Sequence, residues 1–317
     1  MTEGSAGRQD THSLLARLAG RGSLKRRWHA TSAQEAQLEP WQRGLLAALS
    51  LRESEHPSGP TVARAAGLAT DPSDWLLAEP IHLAAGLNDM ALVPLRRQLR
   101  LTSAEQAELT PLLREHVQTL GYRLHAAADA WLIGAESWRV HTVSPEYARR
   151  NEWHAVLPQG ADAGVLRRLL TELQMLLHEH PVNERRVARG LPAVNSVWFW
   201  GNGAAHAVVG HQATMCVGRN EFLRGVCALH EWRIEQDESA VAGWFALARE
   251  TDVVVVTAET DLGTFESTML PPLVGGLARG AVGRLDIVLD EYLLSVERRH
   301  LRRFWRRDVP IDQWPSA

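Results

Sequence analysis

A chain of 317 residues, 45% hydrophobic and 22% charged, has material for one large or two modest globular domains, which excludes a wholly disordered protein. A net charge of -3 excludes the broad basic field of a general nucleic-acid binder, so any anion binding must be local. Cys216 and Cys227 are too few for a disulfide scaffold and lack the spacing of a zinc or redox motif, and no apolar run reaches secretory or membrane-spanning length. A soluble cytoplasmic protein is expected. Twelve tryptophans, against five Phe and three Tyr, are expected to line a core seam or an interface.

From Met1 to about Ala30 the chain is basic and Gly- and Ser-rich, which predicts a flexible tail (residues 1–30) with Lys25, Arg26 and Arg27 in solvent. Ser32 and Glu35 have capping-box spacing, predicting a helix to Leu51 with Trp41, Leu45, Leu46 and Leu49 inward. Pro57, Gly59 and Pro60 predict a loop. Trp75 to Leu83 contains Pro80 and reads as an edge strand or one entering a bend, with His82 as a hydrogen-bonded core histidine. A return strand from Asn88 to Val93, a helix capped by Thr102 and Glu105, and short strands at 122–125, 130–133 and 138–143 follow. This alternation predicts an α/β class of mixed sheet layers with flanking helices, in an N-terminal portion (31–160) and a C-terminal portion (161–317).

The richest stretch is Glu172 to Gly203. Val165, Leu166, Leu169, Leu170, Leu173, Leu176 and Leu177 recur at helical spacing, Pro181 stops that helix, and Asn183 is placed to cap a second one ending at Gly190. VNSVWFW then reads as a buried strand left through Gly201 and Gly203. Further on, Met215 to Trp232 reads as a helix, and DVVVVTA at 252–258 as a strand from the centre of a parallel sheet. Glu259, Asp261 and Glu266 follow it, as helix caps more naturally than as a cation site. A strand at 285–289 is expected to continue to Leu294. In the last segment the pairs Arg298-Arg299, Arg302-Arg303 and Arg306-Arg307 recur every four residues, which predicts a basic stripe along a closing helix whose aromatics dock on the body.

The pattern His180, Pro181, Asn183, Arg186, Gly190, Pro192, Asn195, Trp198, Trp200, Gly201 and Gly203 resembles the signature of the archaeal-type, cofactor-independent phosphoglycerate mutases of the alkaline-phosphatase superfamily. Weaker similarity runs from about Trp75 to Val256, and the chain looks like a shortened bacterial branch of that family. The resemblance implies a diverged alkaline-phosphatase-like core with a mutase-type substrate domain. Intact members carry an Asp-Gly metal ligand, a serine nucleophile and late Asp-His motifs for two metals; this sequence has no Asp-Gly and no Asp-His dipeptide. The reading that follows is a member without two-metal phosphoryl transfer, with no metal or cofactor, binding a small phosphorylated carboxylic acid. No catalytic residue is assigned.

Its binding residues would be His180, Asn183, Arg185, Arg186, Arg189, Asn195, Gly201 and Gly203: forked donors, neutral amides and glycines that admit an anion closely. The same asparagines also suit turns that bond their own backbone. Two other readings stay open. One is an active phosphotransferase or isomerase rebuilt from Glu259, Asp261, His206 and His211. The other is a protein- or nucleic-acid-interaction module using the tryptophans and the stripe of Arg298, Arg302 and Arg306.

Overall fold

The computed structural model describes residues 13–68, 75–85, 90–95, 99–127, 129–206, 215–236, 244, 254–256 and 261–314. The described part of the expected tail is ordered. Helix α1 (Leu14–Arg21) is capped by Ser13, and β1 (Ser23–Arg26) pairs with a strand almost three hundred residues later. Leu15, Leu18 and Ala19 explain this, since they form one apolar helix face that is buried with Leu270, Leu277 and Leu294.

The helix expected from Ser32 starts instead at Pro40, as α2 (Pro40–Ala48), and Glu35 turns back to accept from Thr31. Proline suits the first helical position because its missing N–H would be unbonded there anyway. The same logic lets α3 (Ser58–Ala65) form where a loop is expected, with Pro60 in its first turn.

Strand β2 (Trp75–Ala85) is the spine of a five-stranded antiparallel sheet and not an edge. Around it stand β3 (Met90–Pro94), α4 (Ser103–Thr119), β4 (Arg123–Ala127), β5 (Ala130–Gly134), the two-residue β6 (Val140–His141), α5 (Pro145–Arg150), α6 (Trp153–Val156), β7 (Gln159–Gly160), α7 (Ala163–His178), α8 (Pro181–Ala188) and β8 (Ser196–Trp200). One edge of β2 carries β8, which pairs with residues 77–81. The other carries β5 on 75–78 and β3 on 81–85 in tandem, with β4 outside β5. Pro80 falls in the gap between those two partners, where an absent N–H breaks no ladder bond. Asn88 lies outside the described residues. Thr102 and Glu105 cap α4 reciprocally, as their spacing predicts.

A second, parallel sheet has β9 (Met215–Val217) between β10 (Ile234–Glu235) and β11 (Val254–Val256), with α9 (Glu221–His230) capped by Asn220. Met215 to Val217 is therefore strand, and the central position in the ladder belongs to it. The third sheet, β1-β13-β12, joins the first strand to the hairpin β12 (Arg284–Leu289) and β13 (Tyr292–Glu297), and is packed by α10 (Leu262–Thr264), a π-turn (Phe265–Met269), α11 (Leu270–Arg279) and α12 (Arg298–Leu301). The class is mixed α/β with several sheets and flanking helices. One hydrophobic core runs from Ala36 to Cys227 across residue 160, because β8 must pair with β2 to be buried on both sides.

The closing helix is only one turn long, so Arg298, Arg302 and Arg306 do not share a helical stripe. Guanidinium groups four apart on a helix repel, and no apolar neighbour compensates, since Phe304 and Trp305 face solvent and do not dock. After Leu301 the chain turns at Arg303–Arg306 and returns to α1.

Candidate functional site

His180 is the N-cap of α8, its Nδ1 accepting from Val182 N–H, and Asn183 lies inside the helix. Asn183 is buried; its Nδ2 donates to the carbonyls of Leu177 and Val194 (2.7 and 2.9 Å), and its Oδ1 accepts from Val194 N–H (2.7 Å). One amide thereby ties the end of α7 to the entry of β8. Asn195 does the same one residue on, facing Leu83: Oδ1 accepts from its N–H and Nδ2 donates to its carbonyl, so the side chain extends the β8-β2 ladder.

Arg186 is fully buried. Nε donates to Pro192 O, Nη2 to Leu99 O, and Nη1 to Arg100 O and to Glu105 Oε2 at 3.0 Å. The fork reaches its acceptors because Gly190, with φ +74, turns the chain back so that Leu191 N–H meets Arg186 O. Glu105 also takes Arg189 at 3.3 Å, and Arg185 pairs with Glu108 on the surface. Burial alone pushes the Glu105 carboxyl up; the Thr102 N–H and Arg186 outweigh it and hold the group below its ordinary range.

Gly201, at φ +78, gives its carbonyl to Gly59 N–H, and a Cβ there would stand 2.7 Å from Ser58 Cβ; Gly203 packs on Pro57. Both glycines let β8 run into the start of α3. Asn183, Arg186 and Asn195 thus bond protein groups on one seam of the fold, while Arg185 and Arg189 are exposed beside it and His180 caps its helix.

Among the residues of the rebuilt-site reading, Asp261 caps α10 by accepting from Thr264, and His206 gives its backbone N–H to Glu55 O. Glu266 caps α1 through Leu15 N–H. Glu259 and His211 lie outside the described residues, and among the described ones no three His, Cys, Asp or Glu side chains cluster as metal ligands. The hydrogen bond to Cys216 and burial both push the Cys227 thiol up, so it stays protonated and unreactive.

A cleft of about 400 Å³ opens elsewhere, where the two larger cores meet. Arg26 leaves β1, Arg150 ends α5, and Glu291 sits in the turn of the β12-β13 hairpin, where Asp290 takes φ +48. The Glu291 carboxylate, side chain 7% exposed, accepts from Arg26 Nη2 at 3.1 Å and Arg150 Nη1 at 3.0 Å, and Arg26 Nε lies 2.8 Å from its other oxygen. Buried Arg26 Nε makes this approach as an ion pair without hydrogen-bond geometry. His29 Nδ1 lies 3.0 Å from Arg26 Nη2 and 3.5 Å from Glu291 Oε2. Glu146 also lines the cleft and holds Arg150 Nε and Nη2. Trp28, Thr31, Tyr147 and Asn151 complete the walls. Sequence spacing could not show this cleft, because Arg26 and Glu291 reach the pair Glu146 and Arg150 only through β1-β13 pairing.

Burial pushes Glu291 up, and the hydrogen bonds from Arg26 and Arg150 more than offset it, holding the carboxyl low. Glu105 and Glu291 therefore contribute stability that is fully present above the ordinary carboxyl value of 4.5 and is lost as pH falls through their depressed folded values. The urea midpoint is expected to decline in acid from about that pH, and Glu291→Gln should lower the neutral midpoint while flattening part of the decline. Equal acid sensitivity in both proteins would contradict this assignment.

No protein-family model matches the chain. It is 36% identical over 84 residues to a 2,3-bisphosphoglycerate-independent phosphoglycerate mutase of Methanothrix thermoacetophila, covering 25% of this chain and 21% of that enzyme. Over that stretch the chain is phosphoglycerate-mutase-like. The mutase-like chain is also 41% identical over 49 residues to the corresponding enzyme of Methanosarcina mazei, covering 16% of this chain and 12% of that one. It thus spans at most about a fifth of the length of these curated mutases. Among solved structures, the cofactor-independent phosphoglycerate mutase of Thermoplasma acidophilum matches with a TM-score of 0.41 and 16% identity, over 96% of this chain and 86% of that one. No helix of the described residues is long and apolar enough to cross a membrane.

Proposed function

We propose that this mutase-like chain is a non-catalytic binding protein, without two-metal phosphoryl transfer, that takes a small carboxylic acid, phosphorylated or not, in the Arg26-Arg150 cleft. The observation that carries this reading is the pair of guanidinium groups, those of Arg26 and Arg150, lining one cavity. Guanidinium forks match carboxylate and phosphate oxygens, and a partly desolvated setting strengthens the contact. The amides and the buried guanidinium of the Asn183-Asn195 segment already hold backbone, which moves the expected anion site from that segment to the cleft. Absence of the Asp-Gly and Asp-His dipeptides supports the non-catalytic part.

Thermal unfolding with 3-phosphoglycerate, with and without Mn²⁺, tests it. Binding at a hundred times Kd stabilises by about 2.7 kcal/mol, on the order of 5 °C here. That shift is expected from the acid alone and should vanish in Arg150→Gln. A shift that requires Mn²⁺, with turnover, would establish an active enzyme instead; no shift with any small acid would remove the binding reading.

A further inference from the structure

Eleven of the twelve tryptophans are buried or half-buried, and Trp305 is 68% exposed. Beside it Phe304 is 78% exposed, the two rings meeting edge to face at 5.3 Å between centroids. They occupy the corners of the turn closed by Arg306 N–H on Arg303 O. This turn is tied down on both sides. Arg303 Nη1 donates to Arg21 O, Val309 N–H bonds Ala16 O, and the Arg307 carbonyl packs so closely on Gly20 that a Cβ there would overlap it. Further on, Trp314 is buried and packs against Tyr292 of β13.

Charge completes the surface. Six arginines against Glu297, Asp308 and Asp312 leave residues 297–312 at net +3 in a chain whose net charge is -3. Arg299 is held by Glu297, and Arg303 by the Arg21 carbonyl. Arg298, Arg302, Arg306 and Arg307 are exposed and have no acidic partner among the described residues. Two bare ring systems on a fixed turn, framed by free guanidinium groups, expose apolar area that a fold left to itself would cover.

We infer that this turn is a binding site for single-stranded nucleic acid, with Phe304 and Trp305 stacking on unpaired bases and Arg298, Arg302, Arg306 and Arg307 taking the phosphates. Every base offers a π-face, so stacking platforms bordered by cations hold single strands with little sequence preference. A duplex hides those faces. A lipid surface would need an amphipathic helix to lie along it, and the helix here is one turn with only rings exposed on the turn that follows. Because the turn is already fixed, little ordering is lost on binding.

The test is fluorescence anisotropy of the full chain with labelled oligo-dT and oligo-U of about 20 nucleotides, against the same length of duplex, over a salt series. Expected is preference for single strands, with log K falling against log salt at a slope of about -3 for four phosphate contacts. Phe304→Ala with Trp305→Ala should weaken binding at least tenfold. Trp305→Phe, which keeps a ring, should retain most of it. Arg302→Ala with Arg306→Ala should lower the slope by about 1.4. All replaced side chains are exposed or on the exposed turn, and unchanged melting curves will show that the fold is intact. Tighter binding of duplex, indifference to loss of the rings, capture by anionic vesicles in place of oligonucleotides, or no binding at low salt would each overturn the assignment.

Discussion

Replacing Arg186 by alanine is expected to leave little folded protein. Its guanidinium has no exposed surface, and it satisfies three carbonyls and the nearly buried Glu105 carboxylate. Removing one partner of a buried ion pair costs about 3–5 kcal/mol, because the charge left behind stays desolvated. Three carbonyls losing their donor add to that. Against a typical stability of about 5–15 kcal/mol, the urea midpoint should fall by a large fraction or the protein should not accumulate. Arg186→Lys should rescue poorly, since one ammonium cannot reach acceptors spread along Leu99, Arg100 and Pro192. The double variant Arg186→Met with Glu105→Gln should be more stable than Arg186→Ala alone. A midpoint within experimental scatter of the parent for Arg186→Ala would show that this cluster does not hold the fold.

Gly225→Ala is expected to have the second large effect. A glycine inside a helix normally destabilises it by up to about 1 kcal/mol, so alanine should help α9 as an isolated helix. Here an added Cβ would lie 1.8 Å from the Thr61 carbonyl oxygen, where α9 crosses α3 backbone to backbone. One helix must shift, and both carry buried residues, among them Val62 and Ala63 on α3 and Phe222, Leu223 and Val226 on α9. Overpacking of this kind costs about 1–3 kcal/mol, and the upper end is expected because the obstacle is main chain. The substitution therefore separates propensity from packing: a raised melting temperature would refute the close crossing, and a fall of several degrees would support it.

Patterns confined to one stretch of chain were legible. Thr102 with Glu105, the leucine spacing of α7, Gly190 beyond α8 and the β-branched, aromatic run of β8 each express a preference set by neighbours within a few residues, so periodicity and caps found them. The mixed α/β class and the mutase-like motif were legible for the same reason. What depends on partners far away was not. Arg26 reads as part of a solvated tail because nothing near it names Glu291, 265 residues on. Asn183 and Arg186 read as anion ligands because their donors suit an oxyanion as well as the backbone carbonyls they meet.

The terminal arginines show the limit most plainly. Their spacing alone describes a striped helix, and only the return of Val309 to Ala16 and the closeness of Gly20 to Arg307 decide that the chain turns, so that two aromatic rings stand in water. By itself the sequence determined the elements whose pattern is local, α4, α7 and β8 among them, and the mixed α/β class. Tertiary structure decided which arginines are buried as struts, which converge on a cleft and which remain free, because hydrogen bonds between distant segments leave no periodicity to read.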